Sequence, residues 1–265
     1  MKYHRDRDGV IVFNEYMPRK GFLELDSKRY YYKETSITEM FNELISSIIA
    51  EQYGIDHINY INVINDGFLG VIGRDFKEGY EYLSMDTILG EYFGDDYEEN
   101  YRKYNNLKDV IASTNSRYGF DLSDDIIKLF LFDALIANSD RHPSNYGVLK
   151  NEEGVKLAPV FDNELMLSED GIDSLYSLKV NRDDRYPGWW DIDSNYLYKF
   201  FLDYDSYKDF FLSKLPIISD SNVSRIIEQV EDESKTKIPS AIKEKIEKGF
   251  VRNNKMIDKV MIKKR

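Results

Sequence analysis

Ala137-Asn-Ser-Asp-Arg-His-Pro-Ser-Asn-Tyr-Gly-Val-Leu149, followed by Leu157-Ala-Pro-Val-Phe-Asp162, decides how the rest of the chain is read. Ahead of it, Ser123–Ala137 has helical spacing. Ile126, Ile127, Phe130, Leu131, Ala134 and Leu135 fall on one face, Asp124 and Asp125 suit the positive helix start, and Ser123 is the expected cap. Asn138–Asn145 is then a polar loop. Tyr146–Leu149 and Val155–Ala158 read as a hairpin turning at Asn151–Gly154. Phosphoryl transfer from ATP needs hard-oxygen ligands for Mg²⁺, a carboxylate beside the acceptor hydroxyl, and a cation on the phosphates. Asp140 is the candidate to orient or deprotonate the acceptor. Asn145 is the candidate to hold Mg²⁺ through its amide oxygen, and Asp162, after the hairpin, to bridge Mg²⁺ to the phosphates. The same spacing also suits a capped turn in which Asn138 or Asp140 bonds its own backbone.

Upstream, short runs rich in β-branched and aromatic residues predict strands at Val10–Phe13, Phe22–Leu25 and Tyr30–Lys33. Thr38–Tyr53 switches to helical spacing, with Phe41, Leu44, Ile45, Ile48 and Ile49 on one face and Gly54 as the stop. Strands Tyr60–Ile64 and Phe68–Ile72 follow, joined by Asn65-Asp66-Gly67. Beyond them the pattern is helical at Asp86–Tyr92, Asn106–Ser113, Ser194–Lys214, Ser219–Glu231 and Pro239–Ile262. The expected architecture is therefore α+β and bilobal, a strand-rich lobe over residues 1–80 and a helical lobe over 81–265.

Helix, polar loop, hairpin, then Phe-Asp is an order that resembles protein-kinase-like catalytic lobes. The pattern N-x-D-R-H-x-x-N with L-A-P-x-[YF]-D resembles, more specifically, the HipA-type serine/threonine kinases of bacteria. Phosphatidylinositol kinases share a related D-R-H-x-x-N loop, so a lipid or small-molecule acceptor is the second reading and a nucleotide-binding pseudokinase the third. Pro18–Leu23 with Lys28–Lys33 resembles the family's phosphate-loop-to-strand segment, Asn42-Glu43 with Ala50 its N-E helix, and Val71–Phe76 its hinge strand. The resemblance runs from Val10 to Leu215. It implies ATP and Mg²⁺ as cofactors and a protein Ser/Thr acceptor. It makes Asp140 the catalytic carboxylate and Asn145 and Asp162 the metal ligands. Lys33 contacts the α/β-phosphates and pairs with Glu43, Lys20 is a phosphate-loop lysine, and His142 touches the nucleotide or steadies the loop. Toxin-like members work with an antitoxin-type protein partner. Longer members carry an additional N-terminal subdomain; here the first strand starts almost at once, which reads as a short form. No Ser or Thr precedes Ser27, so a silencing phosphosite in the phosphate loop is not expected, and Asn14–Lys20 lacks Gly.

Composition fits that reading. Of 265 residues, 42% are hydrophobic and 32% charged, enough for a core. There is no Cys, which removes disulfides, thiolate metal sites and cysteine nucleophiles, and suits a reducing cytoplasm. His4, His57 and His142 are too far apart in sequence for a His-rich metal site. No apolar run approaches the roughly 18 residues of a membrane span, and Met1–Val10 lacks a secretory apolar core. The net charge of −12 argues against direct nucleic-acid binding. Lys235–Arg265 is the basic exception, with 11 Lys or Arg against 3 acids, and is expected to be a solvated helix face that can dock on the acidic body, a membrane or RNA contact being the alternative. Gly188-Trp-Trp190 is expected to anchor a loop, and Ser168, Ser174 and Ser177 to lie on a surface loop.

Overall fold

The structure is a computed structural model and describes residues 2–97, 107–138, 140–167, 201 and 204–262, with side chains to 258. Six strands open the chain: β1 (Tyr3–Arg5), β2 (Ile11–Phe13), β3 (Lys20–Leu25), β4 (Lys28–Glu34), β5 (Tyr60–Asn65) and β6 (Phe68–Arg74). They form one sheet in the order β1-β2-β5-β6-β4-β3, antiparallel except where β2 runs parallel to β5. The β5–β6 turn places Asp66 and Gly67 at φ 50° and 82°, the paired positive φ that a two-residue hairpin requires. β1 is absent from the sequence expectation because Tyr3-His-Arg is an exposed edge with no apolar alternation.

Helix α1 (Ile37–Tyr53) crosses behind the sheet. Ser36 and Glu39 close a reciprocal capping box, and Gly54 ends the helix at φ 85°. β7 (Glu81–Ser84), α2 (Met85–Phe93), α3 (Leu107–Tyr118) and α4 (Ser123–Ile136) follow, then β8 (Gly147–Asn151) and β9 (Gly154–Leu157). β7, β8 and β9 make a second, antiparallel sheet. β7 was also not expected: it is a four-residue edge strand created by pairing with β8, more than sixty positions later. Ser123 is not the cap of α4 but its first residue. The side chain of Asp121 accepts its N–H at 3.0 Å, and that of Asn115 accepts the N–H of Leu122 at 3.2 Å.

Helices α5 (Lys208–Lys214), α6 (Asp220–Ser234) and α7 (Ser240–Ile262) complete the described chain. The larger core runs continuously from α1 through α4 to α6 and α7, while Phe13, Met17, Leu23, Tyr32, Val63 and Ile72 form a smaller core on the first sheet. The basic segment docks through Ile246, Phe250 and Ile257, all buried. Buried Asn253 on α7 donates from Nδ2 to the carbonyls of Ala134 and Leu135 at 3.1 and 2.8 Å, and the Leu167 N–H bonds that of Ile136 at 3.1 Å. These bonds hold the last carbonyls of α4, where the helix supplies few N–H partners. No helix among the described residues is long and apolar enough to cross a membrane. Gly188-Trp-Trp190, Ser168, Ser174, Ser177 and the start of the expected helix Ser194–Lys214 lie outside the described residues.

Candidate active site

β4 lies inside the sheet between β6 and β3 and carries Lys33 in register with Val71 and Lys20. The Lys33 ammonium is buried among three carboxylates: Glu43 at 3.1 Å, Asp162 at 2.5 Å and Glu164 at 2.6 Å. Burial works to lower its pKa, but the charges of Glu43 and Asp162 outweigh that and raise it above the ordinary lysine value. Glu43 is fully buried because α1 is covered on nearly every side. Its second oxygen accepts the Asn163 N–H at 2.9 Å. Burial pushes its carboxyl up to about 7, against the pull of Lys33 and that N–H. Next to Glu43, Asn42 donates to the carbonyls of Glu164 and Met166 at 2.6 and 3.2 Å, so α1 grips the chain just past Asp162.

The loop after α4 is built by backbone geometry. Ala137 sits at φ 50° and ends the helix. The Asn138 side chain accepts the Asp140 N–H at 3.0 Å, so the self-bonded turn is present. That turn also presents Asp140, half-buried. Asn145 donates from Nδ2 to its carbonyl at 2.9 Å and its carboxylate at 3.3 Å, leaving the Asn145 amide oxygen as the atom open to a cation. Burial raises the Asp140 pKa. The charges of Asp162 and Glu164 add to this, while those of His142 and Arg141 oppose it. His142 closes the loop through its backbone, its N–H on the Asp140 carbonyl and its own carbonyl on the Asn145 N–H, both at 2.8 Å. Its side chain is exposed and is not part of the cleft wall.

Sequence reasoning gave no role to Arg141, the largest fully buried side chain. All five of its guanidinium donors are satisfied. Nε and Nη2 bind the Asp133 carboxylate at 2.9 Å each. Nη1 donates to the carbonyls of Asn145 at 2.8 Å and Phe161 at 2.7 Å, and Nη2 also reaches the Asn163 side chain at 2.6 Å. A signal was available: Asp133 is the lone acid in Ile126–Ile136, and a carboxylate on a buried helix needs a cation. Glu164 and Asn163 were missed because nothing in their spacing distinguishes them from a loop.

A cleft of about 310 Å³ opens between the first sheet and these segments. Phe76, at the end of the strand read as a hinge, stacks on Phe161 at 5.2 Å, and Tyr82 meets Phe76 edge-on at 5.5 Å. Gly73 lets Ile58 and Tyr60 pack against the backbone of this wall, since a Cβ there would collide with both. Lys20 lies exposed at the rim and Lys33 and Asp162 line the same cleft. The Phe161–Asp162 segment is set against the first sheet by backbone bonds, Ile58 N–H to the Val160 carbonyl at 3.0 Å and Val160 N–H to the Asp56 carbonyl at 2.7 Å. Ligand oxygens of Glu43, Asp162 and Glu164 lie within 4.8 Å of one another. All three are engaged by the Lys33 ammonium, and such hard oxygen donors suit Mg²⁺ rather than a soft metal.

Comparison with curated protein sequences gave no match. Among solved structures, the chain is similar to a proinflammatory kinase of Helicobacter pylori, CtkA, at 18% identity and a TM-score of 0.68, covering 95% of this chain and 98% of that one. It is also similar to HipA in the Shewanella oneidensis toxin–antitoxin complex of HipA, HipB and operator DNA. There the identity is 13% and the TM-score 0.52, over 92% of this chain and 64% of that one. These likenesses establish the α+β kinase-like fold. The family model described as the HipA-like C-terminal domain matches residues 24–238, most of the chain, and the protein belongs to that family.

Proposed function

We propose that the protein is an ATP- and Mg²⁺-dependent phosphotransferase acting on Ser or Thr of a protein. The observation that carries this reading is the Lys33 ammonium held by Glu43, Asp162 and Glu164 beside a cleft, with Asp140 near enough for the charges of Asp162 and Glu164 to raise its pKa. In this reading residues 1–80 supply the nucleotide contacts and 81–265 the catalytic loop. Lys33 exchanges carboxylate contacts for the α/β-phosphates while Glu43 keeps it aligned, and Lys20 meets phosphate at the rim. The stacked Phe76 and Phe161 offer the base an aromatic wall, with the backbone of Gly73–Lys77 beside it. Asn145 and Asp162 hold Mg²⁺, which neutralises charge developing on the phosphates. Asp140 takes the acceptor proton, and its raised pKa brings it closer to the pH at which a general base works. His142 steadies the loop. An antitoxin-type protein partner and a toxin role belong to the same proposal, and the net charge of −12 favours protein over nucleic acid as the direct contact.

The test is calorimetric titration with Mg²⁺, ATP and both, beside transfer from labelled ATP to lysate and to the protein itself. Mg²⁺ alone is expected to bind negligibly, since two protein ligands do not make a cage, and ATP·Mg²⁺ clearly. Lys33→Ala and Asp162→Asn should each weaken both binding and transfer. Tight Mg²⁺ binding without nucleotide contradicts the ligand assignment. Binding without transfer makes the protein a pseudokinase, and label recovered in lipid moves the acceptor to a head group.

A further inference from the structure

We infer that Arg141, acting with Asn163, is a positioning residue that holds Asn145 and Asp162 in one frame, so that two ligands from separate segments face the same cation. This rests on the metal roles proposed above. Asn145 comes from the loop after α4, whereas Asp162 comes from beyond the β8–β9 hairpin; the pairing of those strands ends at Val148–Leu157 and the Ala158 N–H on the Gly147 carbonyl, short of both ligands. A single nitrogen of Arg141 bridges them, bonding the carbonyl of Asn145 itself and that of Phe161, the residue before Asp162. The neighbouring nitrogen bonds the side chain of Asn163, the residue after Asp162.

The residues on either side of Asp162 are therefore both bonded to Arg141. The Asp162 backbone is in the left-handed region at φ 60°, a conformation that aspartate tolerates better than most residues with a Cβ and that the flanking bonds hold in place. The Asn163 N–H on Glu43 adds a third restraint and ties the same frame to the partner of Lys33. Only a rigid planar fork can serve two carbonyls, an amide and a carboxylate at once; a lysine ammonium has three donors on a flexible stem. Asp133 supplies the charge that lets the guanidinium stay buried. Outer residues of this kind orient the groups that touch a metal, and their loss shows in metal response before it shows in fold.

The experiment uses Asn163→Ala, which removes the side-chain acceptor but keeps both the Asp133–Arg141 pair and the Asn163 N–H, and Arg141→Lys as the harsher variant. Two readouts are taken on each. In amide hydrogen exchange without ligand, Asn163→Ala is expected to speed exchange in the 140–149 segment as well as in 159–166, although the change lies in only one. In titrations, the Mg²⁺ concentration that half-saturates the nucleotide effect should rise about 10–100-fold, with Mg²⁺-free ATP affinity within about twofold of wild type. Arg141→Lys should give the same pattern, larger. Exchange altered in 159–166 alone overturns the inference, as does an equal loss of Mg²⁺-free and Mg²⁺-dependent binding. If wild type shows no Mg²⁺-dependent nucleotide binding, the proposed function fails, and the exchange result still decides whether Arg141 joins the two segments.

Discussion

Asp140→Asn is expected to lower phosphoryl transfer by about 10²–10⁴-fold, the usual cost of losing a general base, while ATP·Mg²⁺ binding stays near wild type. The amide keeps the size of the carboxylate and leaves the Asp140 carbonyl on Asn145 and the Asp140 N–H on Asn138. What disappears is the charge that accepts the proton. The pH profile provides a second check. Burial and the nearby Asp162 and Glu164 raise the Asp140 pKa, so the acid limb of the wild-type rate should lie above the ordinary carboxylate range of about 4. The rate rises with pH through that limb as Asp140 loses its proton, and the limb should be absent from the residual activity of the variant. Transfer by Asp140→Asn at the wild-type rate would reduce the loop to a turn and remove Asp140 from the mechanism.

The largest stability effect is expected at Asp133, far from solvent. Asp133→Leu leaves the Arg141 guanidinium buried without its counter-charge, and breaking one side of such a pair typically costs about 3–5 kcal/mol. A fall in the urea midpoint with unchanged slope is the measurement. The double replacement Asp133→Leu with Arg141→Met should recover part of that loss, because the destabilisation comes from the stranded charge rather than from the missing pair. Its transfer activity should stay low, since the bonds to Asn145, Phe161 and Asn163 go with the arginine. An Asp133→Leu protein as stable as wild type would mean that the guanidinium finds another carboxylate or reaches water.

Much of this architecture is legible in residues that carry their own local signals. Gly54 stops α1, Asp66-Gly67 turns the β5–β6 hairpin, and the apolar spacing of Ser123–Ala137 marks the helix that leads to Asp140. Lys33, Glu43 and Asp162 could be nominated from their order along the chain, and the fold brings them into contact. The contacts of Arg141, Asn163 and Glu164 were not legible, because each depends on partners from other segments; for Arg141 the sequence offered only the hint that Asp133 needs a cation. Arg141 next to a candidate base looks like a surface cation until Asp133 is known to be buried beneath it. His142 and Lys20 were nominated from the motif alone; one holds the loop by its backbone, and the other stands at the rim of the cleft. β1 and β7 were illegible for the same reason as the arginine network, since an edge strand of three or four residues exists only through its partner.

The contacts that complete the site join distant parts of the chain. Lys33 and Asp162 are separated by 129 positions, Glu43 and Asn163 by 120, and Asn253 and Ala134 by 119. Closing such loops costs entropy before any contact repays it, so these are the contacts a folding chain makes late. The first sheet, closed largely by short hairpins, can form ahead of them. On refolding from urea, far-ultraviolet circular dichroism should therefore recover before ATP·Mg²⁺ binding; simultaneous recovery would show that the site forms with the sheet. A nascent or damaged chain can hold much of its secondary structure and still lack Lys33, Glu43 and Asp162 in contact. Any activity that needs these groups together then belongs only to the finished molecule.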